Sequence, residues 1–93
     1  MPALSGDEIE QRLAAVPEWV REGDAIEREL KFEDFEAAIA FVNRVADAAE
    51  AANHHPDILV HGWNKVRLTL STHSQGGLTE SDFRMAAQFD GLL

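Results

Sequence analysis

The chain has 93 residues, 45% of them hydrophobic, with 17 acidic residues against 8 Lys and Arg and a formal net charge of -9. This length predicts a single domain over residues 1–93. The acidic balance, without any basic cluster, disfavours direct nucleic-acid binding and anionic membrane surfaces. The absence of cysteine excludes disulfides and thiolate chemistry. The polar first ten residues do not read as a signal peptide, and no apolar run approaches the roughly 20 residues that span a bilayer, so we expect a cytoplasmic protein.

The first half of the chain predicts a helix, a β-hairpin and a long helix. Ser5-Gly6-Asp7-Glu8 has the S-x-x-E capping-box form and predicts a helix over about 6–15. Gly23 between two extended segments predicts a hairpin, whose second strand alternates well apart from Arg28. The clearest helix covers 33–53 and should end near Asn53, because Pro56 disfavours helical geometry at His55. Its predicted apolar stripe follows helical spacing and comprises Phe35, Ala38, Ile39, Val42, Val45, Ala46 and Ala49.

The second half predicts another hairpin and a last helix. Ile58 to Val60 and Val66 to Ser71 have strand patterns, and Gly62 between them suits a bend. Gly76-Gly77 breaks the chain, and Thr79-x-x-Asp82 then resembles a capping box. The buried side of the last helix is predicted to comprise Phe83, Ala86, Ala87 and Leu92. The order α-β-β-α-β-β-α indicates an α+β fold, with a four-stranded antiparallel sheet and helices packed on one face.

Three of the four histidines fall at predicted element ends. His54 and His55 follow the long helix, and His73 follows the last strand. Imidazole exchanges a proton near neutral pH, so such a set suits acid–base chemistry. Each also has an ordinary interpretation, as a helix C-cap or a surface histidine at a strand end. If residues 57–72 form a hairpin, its outer ends lie close together and the three imidazoles should converge.

The other polar candidates leave two interpretations open. Asp82 either caps the last helix or belongs to the site, while Gly76-Gly77 lets backbone approach a ligand. Glu50, four residues before His54, either orients it or is a solvated carboxylate. Trp63 either covers a planar ligand or packs on the sheet. A metal site is disfavoured, because the four histidines, His61 included, match no usual ligand spacing. No serine stands in a nucleophile elbow.

Residues 50–82 contain four segments that form one joint pattern: Glu50-Ala-Ala-Asn53-His54-His55-Pro56, Trp63-Asn64-Lys65-Val66, Leu68-Thr69-Leu70-Ser71-Thr72-His73 and Gly76-Gly77-Leu78-Thr79-x-x-Asp82. This joint pattern resembles the pterin-4a-carbinolamine dehydratases. The resemblance implies dehydration of a 4a-hydroxytetrahydropterin to quinonoid dihydropterin in tetrahydrobiopterin recycling, with no metal or cofactor. It also implies self-association as a homodimer or homotetramer.

The resemblance assigns roles residue by residue. It implies catalysis by His54, His55 and His73, and it implies pterin contacts from the same histidines together with Pro56, Thr72, Ser74 and Gln75. Glu50, Asn53 and Asp82 match supporting polar positions. We take His54 as the leading acid at the 4a-hydroxyl, with His55 and His73 binding pterin or holding the complementary proton. The alternative function is a protein-binding module, because animal relatives act as the dimerisation cofactor of a homeodomain transcription factor.

Overall fold

Three helices and four strands follow the order predicted from the sequence. The computed structural model describes residues 3–93, with the backbone alone at His73. The elements are α1 (Gly6–Leu13), β1 (Val20–Glu22), β2 (Ala25–Lys31), α2 (Phe35–Ala52), β3 (Asp57–His61), β4 (Lys65–Leu70), a 3₁₀ turn (His73–Gln75) and α3 (Glu80–Asp90). The α+β prediction is confirmed.

The four strands form one antiparallel sheet in the order β1-β2-β4-β3. The two hairpins lie side by side, so β4 is central and pairs with both β2 and β3. On one face of the sheet the side chains are buried under the helices, as the alternating burial of β4 shows. That core comprises Ile9, Val16, Trp19, Ile26, Leu30, Ala38, Phe41, Val45, Ala49, Val66, Leu68, Leu70, Leu78, Phe83, Met85, Ala86 and Phe89.

Local signals set the helix boundaries. The predicted capping box of α1 is present, with the Ser5 hydroxyl accepting the Glu8 N–H and the Glu8 carboxylate accepting the Ser5 N–H. Asp34 caps α2 by accepting the Ala37 N–H at 2.7 Å, so this helix begins two residues later than predicted.

Arg28 interrupts the apolar face of β2 because its partner lies on α3. Its Nη1 donates to Asp90 Oδ1 at 2.6 Å, and the buried indole N–H of Trp19 donates to the same oxygen at 2.8 Å. These two donors stabilise a carboxylate in the last turn of α3, where the helix dipole disfavours negative charge.

The predicted buried faces of α2 and α3 are partly wrong. Phe35 is 54% exposed and Ala46 is exposed, whereas Phe41 is buried. On α3, Phe83 and Ala86 are buried as predicted, but Ala87 is exposed, and the core also contains Met85 and Phe89, which the prediction omitted. On both helices a second run of apolar residues satisfies helical spacing, and periodicity alone does not say which run faces the sheet.

Candidate active site

The end of α2 is shaped so that His54 leaves the helix toward α3. Asn53 adopts the left-handed conformation (φ 51°, ψ 42°), and the His54 N–H donates to the Ala49 carbonyl at 3.1 Å. Asparagine tolerates this conformation better than most residues, so it suits a helix end where glycine is absent. The helix therefore ends where Pro56 predicts, and the chain reverses into β3.

Asp82 is the central group of the candidate site. Its side chain is fully buried (0% exposed), and it accepts three hydrogen bonds. Oδ2 accepts the Thr79 N–H at 2.9 Å and the Thr72 hydroxyl at 2.8 Å, and Oδ1 contacts His54 Nε2 at 2.6 Å. The Thr72 and Thr79 hydroxyls also contact each other at 2.9 Å. A buried carboxylate is stable only with such partners.

Asp82 therefore has both of the roles that the sequence left open: it caps the last helix and it belongs to the candidate site. Through Oδ2 it completes the N-terminus of α3, and through Oδ1 it holds the His54 ring. His54 is 18% exposed, so the ring is held from inside while one part still reaches solvent. The segment after α2 and the segment after β4 thus meet at Asp82, as the hairpin geometry predicts.

His55 points elsewhere, as adjacent residues at a helix end must. Its Nε2 contacts Glu50 Oε2, and both side chains are largely exposed, 55% and 76% respectively. Of the two interpretations that the sequence left open for Glu50, the structure does not show the one in which it orients His54, because the left-handed turn at Asn53 carries His54 off the helical face. Glu50 can position His55 instead.

The loop after β4 folds back on itself beside Asp82. Thr72 and Gly77 form an isolated bridge, with the Thr72 N–H donating to the Gly77 carbonyl at 3.3 Å, and Gly76 has a positive φ of 73°. Ser74 and Gln75 are exposed on this loop, and Pro56 is half-buried. The His73 side chain lies outside the described part of the chain. The convergence of all three imidazoles therefore stays a prediction.

The fourth histidine is at the opposite end of the β3–β4 hairpin. His61 contacts Glu29 on the open face of the sheet, and Arg67 Nε donates to the same carboxylate at 2.9 Å. Burial raises the pKa of Glu29, but the hydrogen bonds from Arg67 and His61 outweigh it and leave that pKa below its ordinary value. At the hairpin tip Trp63 is 62% exposed, so most of its surface is in contact with solvent.

The described residues contain neither a metal-binding cluster nor a membrane-spanning helix. Among the side chains that the structure describes, which exclude that of His73, no three from His, Asp or Glu come together in a way that could hold a metal ion. No helix within residues 3–93 is both long and apolar enough to cross a bilayer.

Comparison with known proteins gives the family. The family model described as pterin 4 alpha carbinolamine dehydratase matches residues 2–92. The chain belongs to this family. A protein of Acidobacterium capsulatum, whose name assigns it provisionally to the same enzymes, is 52% identical over 93 residues and covers 100% of both chains. A Nocardia farcinica protein with the same provisional name is 53% identical over 89 residues, covering 96% of this chain and 93% of its own.

Solved structures agree with the fold. The crystal structure of a transcriptional coactivator/pterin dehydratase from Brucella melitensis is 36% identical, covers 97% of each chain and has a TM-score of 0.91. A pterin dehydratase-like protein identified as a RuBisCO assembly factor in the alpha-carboxysome has a TM-score of 0.64 over 80% of this chain. At 24% identity, it supports the fold alone.

Sequence reasoning missed one member of the site. Thr79 was identified only as a helix cap, but its hydroxyl also contacts Thr72 and joins the polar network around Asp82. The signal was present in the T-x-x-D spacing, since a carboxylate that returns to its own N-cap lies beside the N-cap side chain.

Proposed function

We propose that this protein is a 4a-hydroxytetrahydropterin dehydratase, which converts its substrate to quinonoid dihydropterin and water. Membership of the family supports the reaction. The observation that carries the proposal is the His54–Asp82 pair, in which a fully buried carboxylate holds a histidine that is still 18% exposed. We place the reaction in tetrahydrobiopterin recycling in the cytoplasm.

The reaction requires that the departing hydroxyl group gain one proton and that N5 lose one. The substrate carries a hydroxyl on C4a beside N5–H, and the N5 lone pair forms the C=N bond as the C4a–O bond breaks. The departing hydroxide takes a proton and leaves as water, and N5 loses its proton. Because the electron pair comes from the substrate itself, the proposed step uses neither a metal nor a cofactor.

In this proposal His54 is the acid at the 4a-hydroxyl. Asp82 engages Nε2 and so fixes the ring, which leaves Nδ1 to deliver the proton. Positioned proton transfer of this kind contributes typically about 10²–10⁴-fold in rate. His55 and His73 bind the pterin or accept the N5 proton, and Glu50 positions His55.

The remaining predicted site residues have positioning and contact roles in the same proposal. Asn53 supports the turn that directs His54, and Asp82 orients its ring. Four residues are proposed to contact the pterin from the two segments that flank the β3–β4 hairpin: Pro56, Thr72, Ser74 and Gln75.

The test compares two histidines with different positions. We expect His54→Gln to lower kcat/KM for dehydration by about 10²–10⁴-fold, because the acid is lost while the side chain keeps its polarity. His61→Gln is the matched control, since His61 lies at the far end of the hairpin against Glu29, and it should keep wild-type turnover. Wild-type turnover in both His54→Gln and His73→Ala contradicts the proposal.

A second candidate is a protein-binding module, and exposed apolar surface on α2 favours it. Phe35, Ile39 and Ala40 line a groove of about 400 Å³ together with Glu36 and Asn43. The same surface supports self-association as a homodimer or homotetramer, because contiguous exposed apolar surface marks sites of protein–protein contact. Light scattering tests the oligomer, and a monomer at working concentration refutes it. A stoichiometric protein partner together with no pterin binding favours the second candidate over the enzyme.

A further inference from the structure

A depression of about 280 Å³ lies between the β1–β2 turn and the loop after β4. Its lining has small side chains, hydroxyls and glycine backbone, with one carboxylate at the rim: Asp24, Ala25, Ser71, Thr72, Gly76 and Gly77. Asp24 is exposed, and its Oδ1 lies 3.9 Å from where a Cβ on Gly77 would stand. The glycine therefore brings the loop backbone close to the carboxylate.

The depression adjoins the candidate active site. Thr72 lines it, and the hydroxyl of Thr72 donates to Asp82, which in turn holds His54. The register Ile26↔Leu70 places the start of β2 on one flank of β4, and Asp57↔Thr69 places the start of β3 on the other. The two flanks are therefore separated by two strand spacings, or about 10 Å. A bicyclic ring with a three-carbon substituent is of similar length.

The lining suits the substituent better than the ring. A flat bicycle needs broad apolar or aromatic walls against its faces, and the depression is lined by small side chains and glycine backbone without any aromatic or large aliphatic residue. A carboxylate at an open rim instead suits hydroxyl donors on a flexible chain. Among the described residues, no hydrogen-bond or ion-pair partner is found for the Asp24 side chain, so it can accept such donors.

We infer that the depression receives the C6 substituent of the pterin, and that Asp24 selects substrates whose substituent carries hydroxyl groups. This inference rests on the proposed function, because the ring must first lie against His54. Asp24 is then a specificity-determining residue. A methyl group at C6 has no donor to offer, so it gains nothing from Asp24.

The test measures dissociation constants by calorimetry for two non-reactive 7,8-dihydropterins, one with a 6-dihydroxypropyl group and one with a 6-methyl group. We expect the wild type to bind the hydroxylated ligand roughly tenfold more tightly, the size of a hydrogen bond to a charged group. Asp24→Ala should abolish this preference without weakening 6-methyl binding. Glu22→Gln, an exposed carboxylate of the same hairpin that is absent from the lining, should retain it.

A second variant tests the same depression independently, in case Asp24→Ala does not fold. Ala25→Val fills part of the depression with a side chain that strands favour, and it should weaken the hydroxylated ligand selectively. The inference is overturned if the wild type binds the two ligands equally, or if Asp24→Ala loses affinity for both ligands to the same extent. In either case dehydration of the substrate still supports the proposed enzyme. Failure of the wild type to bind either ligand or to dehydrate substrate overturns the inference and the proposed function together.

Discussion

Replacing Asp82 should disturb stability more than any other single change in the site, and it should lower activity as well. Asp82→Ala removes the acceptor of three hydrogen bonds, of 2.6, 2.8 and 2.9 Å, at a position with 0% exposure. Thr79, itself 1% exposed, keeps a buried backbone N–H that has lost its acceptor. An unsatisfied buried donor costs about 1–3 kcal/mol and a lost helix cap about 1 kcal/mol. Because both costs involve the Thr79 N–H and overlap there, we expect a total loss of about 2–4 kcal/mol.

Asp82→Asn removes the negative charge of the side chain but keeps nearly the same shape, so it tests the charge alone. The amide oxygen can still accept from Thr79 and Thr72, but the amide NH₂ then faces Nε2 of His54. The ring must present Nε2 as an acceptor, so it is held in the neutral tautomer with the proton on Nδ1. We expect a loss of about 1–2 kcal/mol in unfolding free energy, and hence a fall in Tm of about 4–15 °C for a domain of this size. Turnover should fall by up to about 10²-fold, because a neutral imidazole is a weaker acid.

Urea unfolding followed by tryptophan fluorescence reports the stability, since Trp19 is only 3% exposed in the folded state. Initial dehydration rates report the activity of each folded variant. Asp47→Asn, an exposed carboxylate in the middle of α2, is the matched control and should change neither. The reasoning is refuted if Asp82→Ala loses less than about 1 kcal/mol, or if Asp82→Asn keeps wild-type turnover.

Three further predictions concern the rest of the fold. Asp90→Ala leaves the 17%-exposed Arg28 guanidinium without its 2.6 Å partner, and urea unfolding should show a loss of about 1–3 kcal/mol; an unchanged midpoint contradicts this. The hydrogen bonds from Arg12 lower the pKa of Glu80 below its ordinary 4.5. This ion pair therefore stabilises the fold above about pH 4.5, and its contribution is lost as the pH falls through the lowered pKa. Between pH 7 and pH 3 the free energy of unfolding should fall less steeply in Glu80→Gln than in the wild type. Asn53→Ala should cost about 1 kcal/mol because φ is 51°, and Asn53→Gly should cost nothing, which thermal unfolding checks.

The sequence predicted the element order and most boundaries because those signals are local. Ser5 and Glu8 complete their cap through neighbours three residues apart, and Pro56 acts on the residue beside it. The buried faces of the helices are a different matter, since they depend on which side meets the sheet. Phe35 and Phe41 both fit helical spacing, and only the packing of α2 on the sheet decides that Phe41 is buried.

The candidate site shows the same division. The meeting of the His54 segment with the Thr72 segment follows from hairpin geometry and could be predicted. The hydrogen-bond partner of each imidazole could not be predicted. It depends on the left-handed turn at Asn53, which places His54 against Asp82 and His55 against Glu50. The depression at Asp24 gave no sequence signal at all, since an Asp after Gly in a hairpin turn is ordinary.

Asp82 lies where the end of α2, the end of β4 and the start of α3 meet. Each of these three segments, taken alone, has an ordinary sequence motif. A helix N-terminus needs acceptors for its free N–H groups, and Oδ2 supplies one to Thr79. The other oxygen is left to hold Nε2 of His54. Capping and orientation of the ring are therefore consequences of one buried carboxylate fixed to a rigid helix, which is the arrangement that keeps a reacting group in place. A search for such sites should accordingly treat a helix cap beside a histidine as a candidate, and should not set the cap aside as merely structural.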